Sequence, residues 1–270
     1  MTGGRILPLL LSACLWAGAA AAQDRPPPAP EAPPEIAAGN LRPQPRPAGA
    51  DPPDKPEAAE TPPAAEAFGP PPPPRWFALR ESDQEFDACR LALSMLGTVY
   101  EIREPVSDPG DPDCGIARPL LVRRILPDLE LRGGALMRCD TARALGFWAR
   151  DFLRPAAATL PGAPRVVALQ PGSTYDCRGR VGTGEDRPKL SEHALGNAID
   201  IAAVLFDDAD PLPVRPRRDS GDQAEAFQRA VRGAACLFFT TVLGPGSNEA
   251  HDDHLHLDLA ARNGGWRLCQ

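Results

Sequence analysis

The sequence predicts an α+β fold: one disulfide-stabilised domain in which a small, mostly antiparallel sheet packs against helices. Three observations predict it. From residue 76 onward, helix-like and strand-like segments are mixed without regular alternation. Cys89, Cys114, Cys139, Cys177, Cys236 and Cys269 fall in the same region, and an even cysteine number there reads as three disulfides formed in an oxidising compartment. Their pairing is open. Near the end, Leu255, Leu257 and Leu259 alternate with His254, His256 and Asp258, the period of two of a half-buried strand.

Residues 1–22 carry Arg5, an apolar run from Ile6 and the small residues Ala20-Ala21-Ala22. That pattern predicts a secretory signal cut after Ala22. Leu11-Ser12-Ala13-Cys14 also resembles a lipoprotein cleavage box, which leaves lipidation of Cys14 open. No later stretch is apolar enough to span a bilayer, so no membrane span is expected after signal cleavage. Of 34 Pro in the chain, 19 lie between Pro26 and Pro74. Residues 23–75 therefore have too few large apolar side chains to offset their ordering entropy, and a proline-rich disordered linker is expected. It serves as a spacer, as a ligand for a partner or simply as a solvated leader.

The folded domain is expected over 76–270. Phe86, Cys89, Leu93 and Leu96 have helical spacing over 83–96, and Gly97 ends that helix. Thr98–Ile102 and Leu120–Ile125 read as strands separated by a Pro/Asp/Gly loop. Asp140 is the expected N-cap of a helix carrying Ala142, Leu145, Trp148 and Phe152, which Pro155 should kink or end. Val166–Leu169 reads as a strand, and Gly172–Arg180 as a loop. Ala198–Phe206 is the next strand and Asp222–Cys236 the next helix. Leu243-Gly244-Pro245-Gly246 then turns the chain toward His251. A net charge of -7 argues against nucleic acid as a partner.

The chain has only 4 His, all in two short motifs. His193 sits in Ser191-Glu192-His193-Ala194-Leu195-Gly196-Asn197-Ala198-Ile199-Asp200. The others sit in His251-Asp252-Asp253-His254-Leu255-His256-Leu257-Asp258. On the second strand Ile199 and Ile201 would face the core and Asp200 the other side. If the strand bearing His254 and His256 is its neighbour, then His193, Asp200 and His256 converge on one metal. Imidazole and carboxylate are the ligands a catalytic zinc needs, with one position left for water. The competing readings are a His–Asp surface pair and a solvated Asp252-Asp253 turn.

The two histidine motifs together resemble the metal-binding signature of zinc D-Ala-D-Ala carboxypeptidases, dipeptidases and penicillin-insensitive murein endopeptidases. The stretch from Cys89 to Cys269 resembles the bacterial extensin-like C-terminal domain family. The pieces that carry it are Tyr175-x-Cys177-Arg178, Leu190-Ser191-Glu192-His193, Gly196-Asn197-Ala198-Ile199-Asp200-Ile201, Leu243-Gly244-Pro245-Gly246 and His251-x-Asp253-His254-x-His256-Leu257-Asp258. The resemblance implies that the sheet carries a zinc site with His193, Asp200 and His256 as ligands. It implies His254 as general base, with Asp253 as the alternative and His251 assisting. Arg178 would face the developing oxyanion, or else merely bond Asp176 or Asp200. Asp258 would orient a histidine or stand exposed on the strand.

The implied function is an exported, periplasmic or cell-envelope peptidase acting on peptidoglycan, of D,D-carboxypeptidase or endopeptidase type. Two other readings stay open. One is a metal-stabilised module that binds the cell wall without cutting it. The other is a disulfide-stabilised envelope protein without metal.

Overall fold

A computed structural model describes residues 72–182, 186 and 188–270. The expected signal peptide, Cys14 and the linker as far as residue 71 lie outside the described residues. After a short helix α1 (Arg75–Ala78), α2 (Asp83–Leu96) starts at a capping box. Ser82 Oγ accepts from the Glu85 amide at 3.2 Å, while Glu85 Oε2 accepts from the Ser82 amide at 2.9 Å. Two otherwise unpaired end donors are thereby satisfied. α2 buries Phe86, Cys89, Leu93 and Leu96, the face that its spacing predicts. Gly97 stops it at φ 70°, and a Cβ there would meet Pro127 Cγ at 2.6 Å, so only glycine fits.

Next come β1 (Val99–Ile102), β2 (Val106–Ser107), β3 (Gly115–Ile116), β4 (Leu120–Leu126) and β5 (Leu129–Met137). The helix α3 (Cys139–Trp148) passes through a π turn at Ala149–Leu153 into α4 (Arg154–Ala157). The chain then gives β6 (Val166–Pro171), β7 (Ala198–Phe206), β8 (Leu212–Pro213), α5 (Gln223–Ala235), β9 (Thr241–Leu243), β10 (Leu255–Asp258) and β11 (Leu268–Cys269). Asp222 caps α5 by accepting from the Glu225 amide at 2.7 Å.

The α+β class is as predicted, but the sheet is not small. It has nine strands in the order β1-β4-β5-β6-β7-β10-β9-β11, with β8 also paired to β7. β2 and β3 form a separate ribbon. Most pairings are antiparallel; β5–β6 and β9–β11 are parallel. The missing strands are hidden for local reasons. Gly133 and Gly134, both at φ 77°, interrupt the alternation of β5. Its register against β4 jumps there, from Val122↔Ala135 to Arg124↔Glu130, as a bulge requires. β2, β3, β8, β9 and β11 have two or three residues each, too few to show a period.

Two helix expectations also need correction. Arg138, not Asp140, holds the N-cap position of α3, without a side-chain cap. Asp140 lies in the first turn and pairs with Arg143 at 2.9 Å. Pro155 does not end the helix on arrival, since helical geometry continues to Ala157. The π turn just before it shifts the hydrogen-bond ladder, which lets the ring be accommodated.

The core is one cluster between the helices and the sheet. Trp148 is 1% exposed and donates its Nε1–H to the Val231 carbonyl at 2.9 Å, tying α3 to α5. Leu255 and Leu257 of β10 and Ile199 and Ile201 of β7 enter the same cluster. All six cysteines among the described residues pair, as Cys89–Cys139, Cys114–Cys177 and Cys236–Cys269. No helix among the described residues is long and apolar enough to cross a membrane.

Candidate metal centre

The centre forms where β10 lies antiparallel to β7, with His256 directly opposite Asp200. The leucines and isoleucines of the two strands go to the core. By the period of two, His256 and Asp200 therefore emerge together on the other face. His193 arrives from a single 3₁₀ turn, Glu192–Leu195. Ser191 caps that turn, accepting from the His193 amide at 3.4 Å. Gly196 closes it at φ 61°. A Cβ at Gly196 would lie 2.3 Å from Ile116 Cδ1, so the turn is pressed against β3. Its carbonyl accepts from the Arg138 amide at 2.8 Å and from Thr141 Oγ1 at 3.1 Å.

Three ligand atoms meet. His193 Nε2 is 3.2 Å from Asp200 Oδ1 and 3.1 Å from His256 Nδ1, and His256 Nδ1 is 2.9 Å from the same Oδ1. All three residues are buried. The outer ring nitrogens identify the tautomers. His193 Nδ1–H donates to the Thr174 carbonyl at 2.7 Å. His256 Nε2–H donates to Asp258 Oδ2 at 3.0 Å. In the neutral imidazoles the inner nitrogens then carry lone pairs, facing each other and a carboxylate oxygen. Three acceptors with no proton between them repel, a repulsion that either a metal cation or a proton at the centre relieves. Ligand bonds of about 2.0–2.1 Å set tetrahedrally about zinc put the ligand atoms roughly 3.3 Å apart, close to the spacing found.

Without a cation, a proton takes its place. Burial alone would lower His256, but the bonds to Asp200 and Asp258 outweigh it and push it up to about 9. Burial likewise raises Asp200, yet the bonds from His193 and His256 hold its carboxyl well below the usual range.

His254 does not stand on the strand. His251 ends a 3₁₀ turn (Glu249–His251), residues 252–254 bend, and β10 begins at Leu255. The bend still turns His254 Nε2 to within 3.6 Å of Asp200 Oδ1. Its Nδ1–H donates to Asp253 Oδ1 at 2.7 Å. Asp253 itself points to solvent, with a side chain 92% exposed. His251 packs between its neighbours, ring centroids 5.2 Å from His254 and 5.7 Å from His256. Its Nδ1–H donates to Asn248 Oδ1 at 2.7 Å. Burial, then the charges of His256 and His254, push His251 down to about 4.

These groups line a cleft of ≈ 220 Å³. Arg178 is on its wall but is bonded to Asp176, Nε to Oδ2 at 2.8 Å. That is the ion-pair alternative its sequence position left open. Asp258 is 5% exposed, so it orients His256 and is not an exposed strand carboxylate. Thr174, Thr241, Asn248, Arg180 and Arg262 also serve or line the site, and sequence reading missed them. Thr174 acts through its backbone carbonyl, which leaves no residue-type signal. The second cluster of possible ligands, Asp111 with Cys114 and Cys177, is excluded because both cysteines are in a disulfide.

A family profile described as "Extensin-like protein C-terminus" matches residues 87–270. Comparison with curated proteins and with solved structures found no match.

Proposed function

The chain belongs to the extensin-like C-terminal family, and from that premise we propose that it is an exported zinc-dependent peptidase acting on peptidoglycan peptides. The observation that carries the reading is the convergence of His193 Nε2, Asp200 Oδ1 and His256 Nδ1 within 3.2 Å of one another, with each imidazole held there by a second partner, the Thr174 carbonyl and Asp258. A buried trio of unprotonated acceptors is costly unless a proton or a metal cation completes it, and the near-tetrahedral spacing suits the metal.

Zinc, when bound by these residues, supplies Lewis acidity toward a scissile carbonyl and toward water. The chain's own groups do the rest. Asp258 and the Thr174 carbonyl fix the two imidazoles in the ligating tautomer. His254 is the general base. Asp253 accepts the hydrogen bond from Nδ1–H, so Nε2 presents its lone pair at the cleft beside Asp200. Asp253 is therefore a positioning residue for the base. His251, pushed toward its neutral form, lines the cleft without adding a second positive charge. Arg178 is held by Asp176 and would need to leave that ion pair to meet an oxyanion.

The test is digestion of purified muropeptides by the zinc-loaded chain, beside His193→Ala, His256→Ala and His254→Ala. Expected are products from the parent, no zinc and no products from the two ligand variants, and bound zinc without products from His254→Ala. Zinc binding and sedimentation with sacculi without any released product would instead identify a wall-binding module. Well under one equivalent of metal in the parent would remove the peptidase reading altogether.

A further inference from the structure

The larger cleft is not the one with the histidines. It encloses ≈ 590 Å³ and is lined in part by Pro245, Gly246, Ser247 and Asp252. Ser247 and Asp252 line this cleft, while Asn248 and His251 line the metal cleft, so one short stretch of chain forms the wall between the two. In a chain of net charge -7, four arginines gather here: Arg217, Arg218, Arg229 and Arg232.

The acids beside them are already engaged. Glu225 accepts from the Gly221 amide at 2.9 Å and from Ser220 Oγ at 3.1 Å, and pairs with Arg229 at 2.7 Å. Asp252 accepts from the Gly246 amide at 3.1 Å. Arg232 is half-buried and, among the described residues, donates only to the Pro245 carbonyl, at 2.8 Å. Burial and the like charge of Arg229 lower its pKa, so the site as it stands disfavours its own cation. Arg217 Nε is buried without a hydrogen-bond partner among the described residues. Arg217, Arg218 and Arg232 form no ion pair among the described residues. Guanidinium groups present paired donors that suit the two oxygens of a carboxylate.

We infer that this arginine cleft is a substrate subsite that holds a carboxylate-bearing stretch of the wall peptide whose scissile bond lies at the metal centre. The inference rests on the peptidase reading. A peptide crossing the Pro245–Asp252 wall would place an acidic residue among the arginines while its backbone reaches the cleft with His254. The subsite would then select acidic stem peptides over amidated ones.

The experiment measures Kd of the full zinc-loaded chain, carrying His254→Ala throughout so that the peptide is bound and not cut, for a synthetic wall peptide with its carboxylates free, and for the same peptide with them amidated. Arg218→Gln and Arg218→Glu are measured alongside. Arg218 is exposed, so both variants should fold, and zinc content checks that they do. The parent should prefer the free acid by roughly 3- to 10-fold, and the preference should shrink as salt is added. It should fall in Arg218→Gln and vanish in Arg218→Glu. Equal affinity of the parent for both peptides, or a preference untouched in Arg218→Glu, overturns the inference. Inorganic phosphate is the third probe: competitive binding of phosphate in the cleft, with no advantage to the free acid, makes the ligand a phosphate and overturns the peptide assignment. Bound zinc with no carboxylate preference removes only the subsite. Absence of zinc from the parent removes the peptidase reading beneath it.

Discussion

Asp258→Asn tests the metal centre without touching a ligand atom. Asp258 is 5% exposed. Its Oδ2 accepts from His256 Nε2 at 3.0 Å and its Oδ1 from the Ala260 amide at 2.9 Å. Asparagine has the same shape, but one of its two positions becomes an N–H donor. Facing His256 Nε2–H or the Ala260 N–H, that donor meets another donor. The easiest relief is for His256 to move its proton to Nδ1 and donate to Asp200 at the 2.9 Å already present. Nδ1 is then lost as a ligand. The variant forfeits a charge-assisted hydrogen bond of about 1.5–3 kcal/mol in the metal-bound state. Zinc should bind roughly tenfold to a hundredfold more weakly, in line with the usual effect of removing a ligand's outer partner. Competition against a chromophoric chelator at fixed pH reads this directly, with His256→Ala as the zero-binding control. A Kd within twofold of the parent would refute the reasoning, because the Asp258 contact would then not select the ligating tautomer.

In metal-free protein, stability should peak near pH 6.5. His256 is raised above its ordinary 6.5 to about 9, so its contribution of about 3 kcal/mol is fully present below pH 6.5 and lost as pH climbs through 9. His251 is lowered to about 4, so stability also falls as pH drops from 6.5 toward 4. Urea titrations in chelator from pH 4 to 10 measure both limbs, and a flat profile would contradict the site's electrostatics. Gly196→Ala forces a Cβ to within 2.3 Å of Ile116 at φ 61°; about 2–4 kcal/mol of destabilisation is expected by chemical denaturation, and a loss under 1 kcal/mol would mean the turn relaxes freely. Replacing both Cys114 and Cys177 by Ala opens a link between residues 63 apart, and should cost about 4 kcal/mol in the same assay. Asp253→Asn should keep zinc but lower kcat about tenfold or more with KM little changed, whereas unchanged kcat would mean that His254 needs no orientation.

Much of this protein is decided by residues near one another in sequence. Ser82 with Glu85 and then Gly97 mark both ends of α2. The alternation in Ala198–Phe206 and Leu255–Asp258 assigns the isoleucines and leucines to the core and Asp200 and His256 to the opposite face. The concentration of all four histidines in two motifs points to the site. These signals are legible because helix caps and strand periodicity act over a few residues. Other features arise only when distant segments meet. The register His256↔Asp200 joins positions 56 apart, and a slip of one residue would have sent His256 to the core side. The choice of inner nitrogen on His193 depends on a backbone carbonyl 19 residues away. Pairing of the cysteines follows from which elements pack together, and the Gly133–Gly134 bulge conceals β5 until β4 lies beside it. His254 reaches the cleft from a bend, not from the strand its neighbours suggest, because the chain must turn at residues 252–254 to enter β10. Local sequence thus selects the groups and the faces; only the folded sheet brings three of them within 3.2 Å, since long-range register is set by burial of the whole core and not by any single motif.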